Sequence, residues 1–471
     1  MGTPEFLLPD TSQSRKDKVP DHNVSAAKSH GIGNHGSCIQ TTWEAFPDGT
    51  MLDLVRDAAD GKVKLLKWDG KHTSVLDQFQ KDGNTYIPAS ICPSILRAMR
   101  LPTRVAPFGS TRELFDAICR ILTRLNDLAE RTVTALAYFV LATCLQDRVI
   151  AAPFVSIVVA PTAPGGALLH VLTLLCRRAL LLGDVSAARL RALPMHLGPT
   201  LLLDIVQLED ELCTWLRASS RRGMYVPSRG GALDQYCAKV VCAPEALSDP
   251  SLLGLALQVE VAPPRRPLPM PDRETSEQIA DEFQAKLQMY RFASYSYVGE
   301  PKIDVADLTA PMQDLSRSLA ACVVGDADLQ FAVVPLLRPQ DQQLRAERAA
   351  LIEAIILEAL WIVCHEKNRQ WVSVGELTTD TNTILAGRGE SLTVSNESVG
   401  WKLKSLGLQT ESLPGGNKGL FLLAVTKARI HALAKAFGVR TLDAAAPGLE
   451  CPHCAGQPKG QGEEEGKTSE L

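Results

Sequence analysis

An apolar run, Phe154-Val-Ser-Ile-Val-Val159, leads into Ala160-Pro-Thr-Ala-Pro-Gly165-Gly166-Ala167 and then into a second apolar segment ending at Cys176. Strand, loop, helix is the order in which a phosphate-binding loop of the pattern Gly-x-x-x-x-Gly-Lys-[Ser/Thr] works. Its glycines let backbone amides surround the phosphates, its Lys reaches the β and γ phosphates, and its hydroxyl holds magnesium. Here only the second glycine, Gly165, survives; Ala160 stands for the first, Gly166 for the Lys and Ala167 for the hydroxyl residue. A Gly- and Pro-containing loop after a strand is, taken alone, an ordinary turn.

The surroundings give the loop more weight. Thr200-Leu-Leu-Leu-Asp204 has the form of an apolar strand ending in a carboxylate that would hold magnesium through water. The next residue, Ile205, stands where an acid would orient or deprotonate the attacking water, and Ile does neither. Asp249-Pro-Ser-Leu-Leu-Gly254-Leu255 follows the pattern Asp-x-x-Leu-x-Ser-Arg with Gly254 and Leu255 in the Ser-Arg places, so a charge-stabilising arginine is missing. Arg177, Arg178 and Lys239 are candidate substitutes for the lost cation, although none lies in the loop.

Other chemistry is weaker. Glu209, Asp210 and Glu211 read as capping or solvated carboxylates, and His170, on an apolar helix, as a satisfied, partly buried histidine. No Ser-His-Asp or Cys-His arrangement stands out.

From Pro102 to Val439 the order of segments resembles a poorly characterised family of P-loop proteins of phages and integrated mobile elements. The segments that carry the resemblance are Arg148-Val-Ile-Ala-Ala-Pro153, the loop at Ala160 to Ala167, Gly198-Pro-Thr-Leu-Leu-Leu-Asp204, Asp249 to Leu257, and the C-terminal module. Active members of such families are taken to be ring-forming ATPases related to helicases. The resemblance therefore implies a helicase-like P-loop fold, and the three altered positions imply a pseudo-ATPase, since a phosphate-binding Lys alone supplies several kcal/mol of electrostatic stabilisation.

The elements that would position these residues follow from pattern. Ser110-Thr-Arg-Glu113 is a capping box, so a helix is expected to begin there, with Leu114, Ile118, Ile121, Leu122 and Leu125 on one face and a second helix continuing to Leu145. Apolar runs at Thr200 to Leu203, Lys239 to Cys242 and Leu257 to Val261 alternate with helical segments, the rhythm of a mostly parallel α/β sheet. Pro263, Pro264, Pro267, Pro269 and Pro271 make a stiff extended stretch that reads as a boundary. The expected organisation is a disordered arm over 1–45, a small N-terminal region over 46–105, and a degenerate P-loop NTPase-like domain over 106–272. A helical connector over 273–344, a winged helix over 345–440 and a disordered tail over 441–471 complete it.

The winged helix rests on a helical period at Leu351, Ile355, Ile356, Ala359, Leu360 and Val363, and on a short second helix near Val374. A third helix opens at Ser395-Asn-Glu-Ser398, with Val399, Leu403 and Leu406 on its apolar face and Asn396, Trp401, Lys402, Lys404 and Ser405 elsewhere. Apolar strands at Leu408 to Ser412 and Leu420 to Val425 flank the turn-rich tip Pro414-Gly-Gly-Asn-Lys-Gly419. Such modules put the third helix in the major groove and the wing on adjacent backbone, so Asn396, Lys402, Lys404 and Lys418 are the DNA-contact candidates. Winged helices also serve as protein-contact modules.

The 471 residues carry a net charge of -4, so nucleic-acid contact must come from a local basic patch rather than the whole molecule. No segment has the roughly 20 apolar residues of a membrane span and the N-terminus does not read as a signal peptide, so a cytoplasmic protein with reduced core thiols is expected. Neither cofactor nor catalysis is expected. The one metal option is zinc at Cys451-Pro-His-Cys454, which offers Cys451 and Cys454 but lacks a second Cys pair nearby, leaving completion by another chain open. His30, His35 and Cys38 read as part of a flexible polar arm. The residues thus point to a DNA-associated binding or regulatory protein, with a homo-oligomer or a partner protein as further possibilities. An active ATPase or helicase-like motor with an atypical site, and a protein-only assembly subunit, are the alternatives.

Overall fold

The structure, a computed structural model, describes residues 37–439 apart from 229, 230, 248, 366–368 and 391. It opens with strands β1 (Cys38–Thr41), β2 (Trp43–Ala45), β3 (Met51–Arg56), β4 (Val63–Trp68), β5 (Thr73–Leu76), β6 (Phe79–Lys81) and β7 (Asn84–Pro88). β2 to β5 form an antiparallel meander, while β1 pairs in parallel with β7, which also pairs with β6. The expected disordered arm is therefore corrected from Cys38 onward. These short strands find partners far along the chain, which local composition does not reveal. Residues 1–36, with His30 and His35, lie outside the described residues.

The small N-terminal region is not separate either. Along β3 the side chains alternate with period two: Met51 and Val55 enter one hydrophobic core, Leu52 and Leu54 a second, and both cores belong to the α/β domain.

Helix α1 (Pro93–Ala98) precedes α2 (Thr111–Leu125), which opens on the Ser110–Glu113 capping box with both reciprocal bonds formed. Helix α3 (Glu130–Leu145) is buried on every face from Ala135 onward, as a helix inside a core must be. The central sheet follows as β8 (Phe154–Val159), α4 (Gly165–Leu175), β9 (Ala179–Gly183), α5 (Ala187–Arg191), β10 (Thr200–Asp204) and α6 (Asp210–Ala218). A hairpin, β11 (Tyr225–Ser228) and β12 (Gly231–Asp234), then leads to β13 (Ala238–Ala243), α7 (Pro250–Leu253) and β14 (Leu257–Val261). The order is β14-β8-β13-β10-β9 with every pair parallel, so β13 lies between the strand before the loop and the strand bearing Asp204. One face of the sheet (Val155, Ile157, Leu202, Val240) packs on α3 and α4; the other (Phe154, Leu201, Leu203, Val241) packs on α5, α6 and the N-terminal strands.

After the proline-rich stretch come α8 (Arg273–Ser294), α9 (Ala310–Ala321) and α10 (Ala327–Ala349). They are not a connector. Ile279, Phe283, Leu287 and Tyr290 of α8, Met312 and Leu319 of α9, and Val333 and Leu337 of α10 join the same core as α3 and α4. The prolines forbid regular structure within their own stretch, but the helix beyond folds back because its apolar stripe has a face to cover.

The C-terminal module has its own core: α11 (Ile352–Cys364), β15 (Trp371–Ser373), α12 (Val374–Gly387), α13 (Asn396–Ser405), β16 (Glu411–Ser412), β17 (Lys418–Phe421) and α14 (Ala424–Ala436). Its antiparallel sheet runs β15-β17-β16. The last expected strand is shorter than its apolar run, because a helix replaces it from Ala424. No helix among the described residues is long and apolar enough to cross a membrane.

Candidate functional site

The degenerate loop sits at the carboxyl ends of the parallel strands, where open α/β sheets bind ligands. Gly165 begins α4, and a Cβ there would stand 2.7 Å from Val159 Cγ2 and 3.2 Å from Cys242 Sγ. Close approach of α4 to β8 and β13 therefore accounts for this glycine without any ligand. Gly166 is exposed and a Cβ there would meet nothing within 4 Å.

The backbone amides of the loop are largely committed to bonds of their own. Pro161 and Pro164 have no N–H, and the amides of Ala160, Ala163, Gly165 and Ala167 donate to Val261, Ala160, Ala163 and Pro164 carbonyls at 3.0–3.1 Å. The amides of Ala163, Gly165 and Ala167 close turns on the loop itself, and that of Ala160 is bonded to the end of β14. Thr162 is held at φ 69°, a left-handed conformation that is strained for a β-branched residue.

Asp204 ends β10, exposed, opposite Gly183 and Cys242 in register. Cys242 thus links the two halves of the crevice: its sulfur touches the Gly165 position, and burial, with Asp204 adding to it, pushes its thiol up to about 12. Ile205 is buried, with no carboxylate beside Asp204 at the next position. Asp249 caps the short α7, and Glu211, in the first turn of α6, pairs with Arg191 at 2.7 Å.

The structure removes all three substitute cations from this crevice. Lys239 stands at the start of β13, opposite Phe154 at the start of β8, and donates to Ser219 O and Ser220 Oγ at 3.0 and 3.1 Å. That is the far end of a six-residue strand, about 17 Å from the loop at 3.3 Å per residue. Arg177 and Arg178 follow α4 at the same far end. Together with Arg291 they surround Asp53, which is 1% exposed, with Arg177 and Arg291 each 3.0 Å from its Oδ2. Arg291 also holds Asp147 at 2.6 and 2.8 Å. Burial works against ionising Asp53, but the three guanidinium groups outweigh it and hold the carboxyl well below the usual range. This cluster ties β3 to α4, α3 and α8 and gave no signal in the sequence, since its members are far apart in the chain.

The other sequence-selected residues meet on the C-terminal module. Ser373 and Glu376 form a capping box at the start of α12, and Ser395 caps α13. Between the two helices and the β16–β17 hairpin lies a cleft of about 540 Å³, lined by Asn396, Lys404 and Lys418 together with Glu397, Trp401 and Asn417. Val399 and Leu403 bury the opposite face of α13. Lys402 does not join this cleft: its Nζ pairs with Glu353 of α11 at 2.5 Å. Trp401, absent from the sequence-derived contacts, is 65% exposed at the cleft with Lys404 Nζ 5.4 Å from its ring centre. A large aromatic residue on the polar side of a helix was the signal available for it. The hairpin tip turns through Gly415 and Gly416, both at positive φ, and Gly419 lets β17 lie against Val372 O, where a Cβ would approach to 2.2 Å.

A second cleft, of about 500 Å³, is lined by Arg56, Arg97, Arg100, Arg273 and His170. His170 is exposed there rather than partly buried, and Arg100 is already paired with Glu277 at 2.7 Å. Cys451 and Cys454 lie outside the described residues, and among those described no group of three His, Cys, Asp or Glu side chains is placed to hold a metal ion.

No family model matches the chain, and no curated protein matches it. Among solved structures, the C-terminal region of NrS-1 is 12% identical, with 79% of this chain and 97% of that one covered at a TM-score of 0.34. A full-length MCM homolog from Methanopyrus kandleri is 13% identical, with 62% and 76% covered at 0.35. Cdc6p from Pyrobaculum aerophilum is 12% identical, with 73% and 98% covered at 0.20. Likeness at this level assigns nothing to the chain beyond the α/β architecture its own strands display.

Proposed function

We propose that the chain is a DNA-associated binding protein whose α/β domain is a scaffold that no longer hydrolyses nucleotide and whose C-terminal module makes the contact. In this reading the module is a winged helix, with α13 entering a groove and the β16–β17 hairpin lying on adjacent backbone. The observation that carries it is the convergence of Asn396, Lys404 and Lys418 with exposed Trp401 on one cleft. An amide side chain, two ammonium groups and an aromatic face are the donors and the stacking surface that a nucleic acid engages. Loss of hydrolysis is supported by the loop, which offers neither a cation nor the amides of Ala163 and Gly165 to a phosphate. An accessory role in a mobile element follows the sequence resemblance alone.

Retained, exposed Asp204 favours one second reading, a motor with an atypical nucleotide site. Two measurements separate the readings. Salt-dependent DNA binding lost on changing Lys404 and Lys418, with no nucleotide turnover in the presence of DNA, is expected. Phosphate release that depends on Asp204 would replace the proposal with the motor. Nucleotide-free, salt-independent association with protein alone would replace it with an assembly subunit.

A further inference from the structure

The cleft beside the edge strand β9 concentrates charge of one sign. The end of β3 supplies Arg56, α1 supplies Arg97, the turn after it Arg100, and the first turn of α8 Arg273, while the carboxylates lining the same space are Glu277 and Asp281. Both carboxylates are already engaged. Glu277 accepts from Arg100 at 2.7 and 3.2 Å, and Asp281 accepts from Thr103 at 2.6 Å and from Arg104 at 2.9 and 3.0 Å. Arg97 and Arg273 are exposed and form no ion pair among the described residues, and the Arg56 side chain reaches the Gly61 carbonyl at 3.3 Å rather than a carboxylate. Arg56, Arg97 and Arg273 are thus left unbalanced, in a chain whose net charge is -4.

The protein behind the cleft adds to this excess. Pro102 and Gln284 line both the cleft and a small cavity beyond it, which Arg177 and Arg178 also line. There Arg177, Arg178 and Arg291 share Asp53 and Asp147, and the Nε of Arg177 has no hydrogen-bond partner among the described residues. Burial, with Arg177 adding to it, lowers the Arg178 guanidinium to about 9. An anion in the cleft would sit in the positive potential of both groups.

Shape and donor type select the anion. A concave space of about 500 Å³ is of the size that takes a small molecule. Guanidinium forks match phosphate oxygens two at a time. Ala98 and Leu181, the latter 42% exposed, add an apolar wall for an uncharged body beside the phosphate. We infer that this cleft binds a phosphate monoester, its phosphate held by Arg56, Arg97 and Arg273 and its body lying against Leu181. Magnesium is not required, because the guanidinium groups neutralise the phosphate themselves. Glu277 is a built-in competitor that keeps Arg100 from the ligand. Ala179, at the start of β9, sets the cleft toward the end of the sheet away from the degenerate loop, and the inference does not rest on the DNA-binding reading.

Phenyl phosphate is the probe, titrated calorimetrically into the full-length chain without magnesium at about 0.15 M salt, where long-range attraction between exposed charges is screened. Saturable binding at one site per chain is expected, weaker for inorganic phosphate, which lacks the body, and absent for phenol, which lacks the charge. Arg97→Gln with Arg273→Gln should weaken binding by at least about 10-fold, the scale of one lost hydrogen bond to a charged group. Glu277→Gln should tighten it several-fold, because it removes a negative charge and releases Arg100, a gain that a merely structural role for the pair would not produce. All three substituted positions are exposed, and thermal melts verify that each variant is folded. Displacement of phenyl phosphate by a 5′-phosphorylated oligonucleotide and not by its 5′-hydroxyl form supports the same recognition with the monoester at a strand end; no displacement by either supports a free small molecule. Absence of saturable binding, binding unchanged in the double arginine variant, or weaker binding in Glu277→Gln overturns the proposal.

Discussion

Changing Lys404 and Lys418 to Ala tests the DNA-binding reading against its own geometry, because Lys402 is an internal control two residues from Lys404 on the same helix. Lys404 and Lys418 line the cleft, whereas Lys402 is held by Glu353. Each phosphate contact contributes about 0.9 to the slope of log K against log salt, so removing two should lower the slope by about 1.8. Between 1 M and 0.15 M salt one such contact is worth roughly 5-fold in affinity, and two roughly 30-fold. Lys402→Ala should leave the slope unchanged. It should cost under about 1 kcal/mol of stability, because its side chain is 40% exposed and pairs at the surface. The assay is fluorescence anisotropy with single- and double-stranded oligonucleotides across a salt series, with thermal melts to verify folding. A slope unchanged by the double substitution, or moved equally by Lys402→Ala, would refute the assignment of α13 and the hairpin.

Three further outcomes follow from the α/β domain. Placing Lys at Gly166 and Thr at Ala167 should not confer ATP binding in equilibrium dialysis, since the amides of Ala163, Gly165 and Ala167 remain bonded to loop carbonyls; tight magnesium-dependent binding in that double variant would show that side chains alone were limiting. Asp53→Asn should destabilise the fold by about 3–5 kcal/mol in urea melts, the cost of stranding buried charge among Arg177, Arg178 and Arg291, and a change within 1 kcal/mol would contradict the network. Burial lowers the Lys239 ammonium to about 8 from 10.5, so between those values the unfolded chain binds more protons and stability should rise with pH. The rise attributable to Lys239 is on the order of 3 kcal/mol. Lys239→Met should lack it, and parallel pH curves for the two proteins would exclude the mechanism.

The parts of the fold legible in the sequence are those set by neighbours in the chain. The Ser110–Glu113 box, the strand–loop–helix at Phe154 to Leu175 and the apolar strand ending at Asp204 are all local patterns, and the structure forms each of them. What escaped depends on distant partners. β1 is a strand because β7 lies beside it, and α8 is a core helix because α3 and α4 present a face to Phe283 and Leu287. The site follows the same division. Helical phase places Lys402 and Lys404 alike off the apolar side of α13, and only the position of Glu353, on another helix, separates their surroundings.

A degenerate motif is usually weighed by counting its missing side chains, but the backbone is the harder part to restore. In a working phosphate loop the glycines keep successive amides aimed outward, which is a property of conformation rather than of composition. Here two prolines remove donors, and the neighbouring amides close turns on the loop's own carbonyls. Gly165, the residue that most suggests a phosphate site, is required by the 2.7 Å approach to Val159 whether or not a phosphate ever binds. The basic residues considered as substitutes are committed to buried positions at the opposite end of the sheet, where moving any one would break its bonds to Asp53 or to the Ser219 carbonyl. Packing alone thus accounts for both the glycine and the buried cations, whether or not a nucleotide binds.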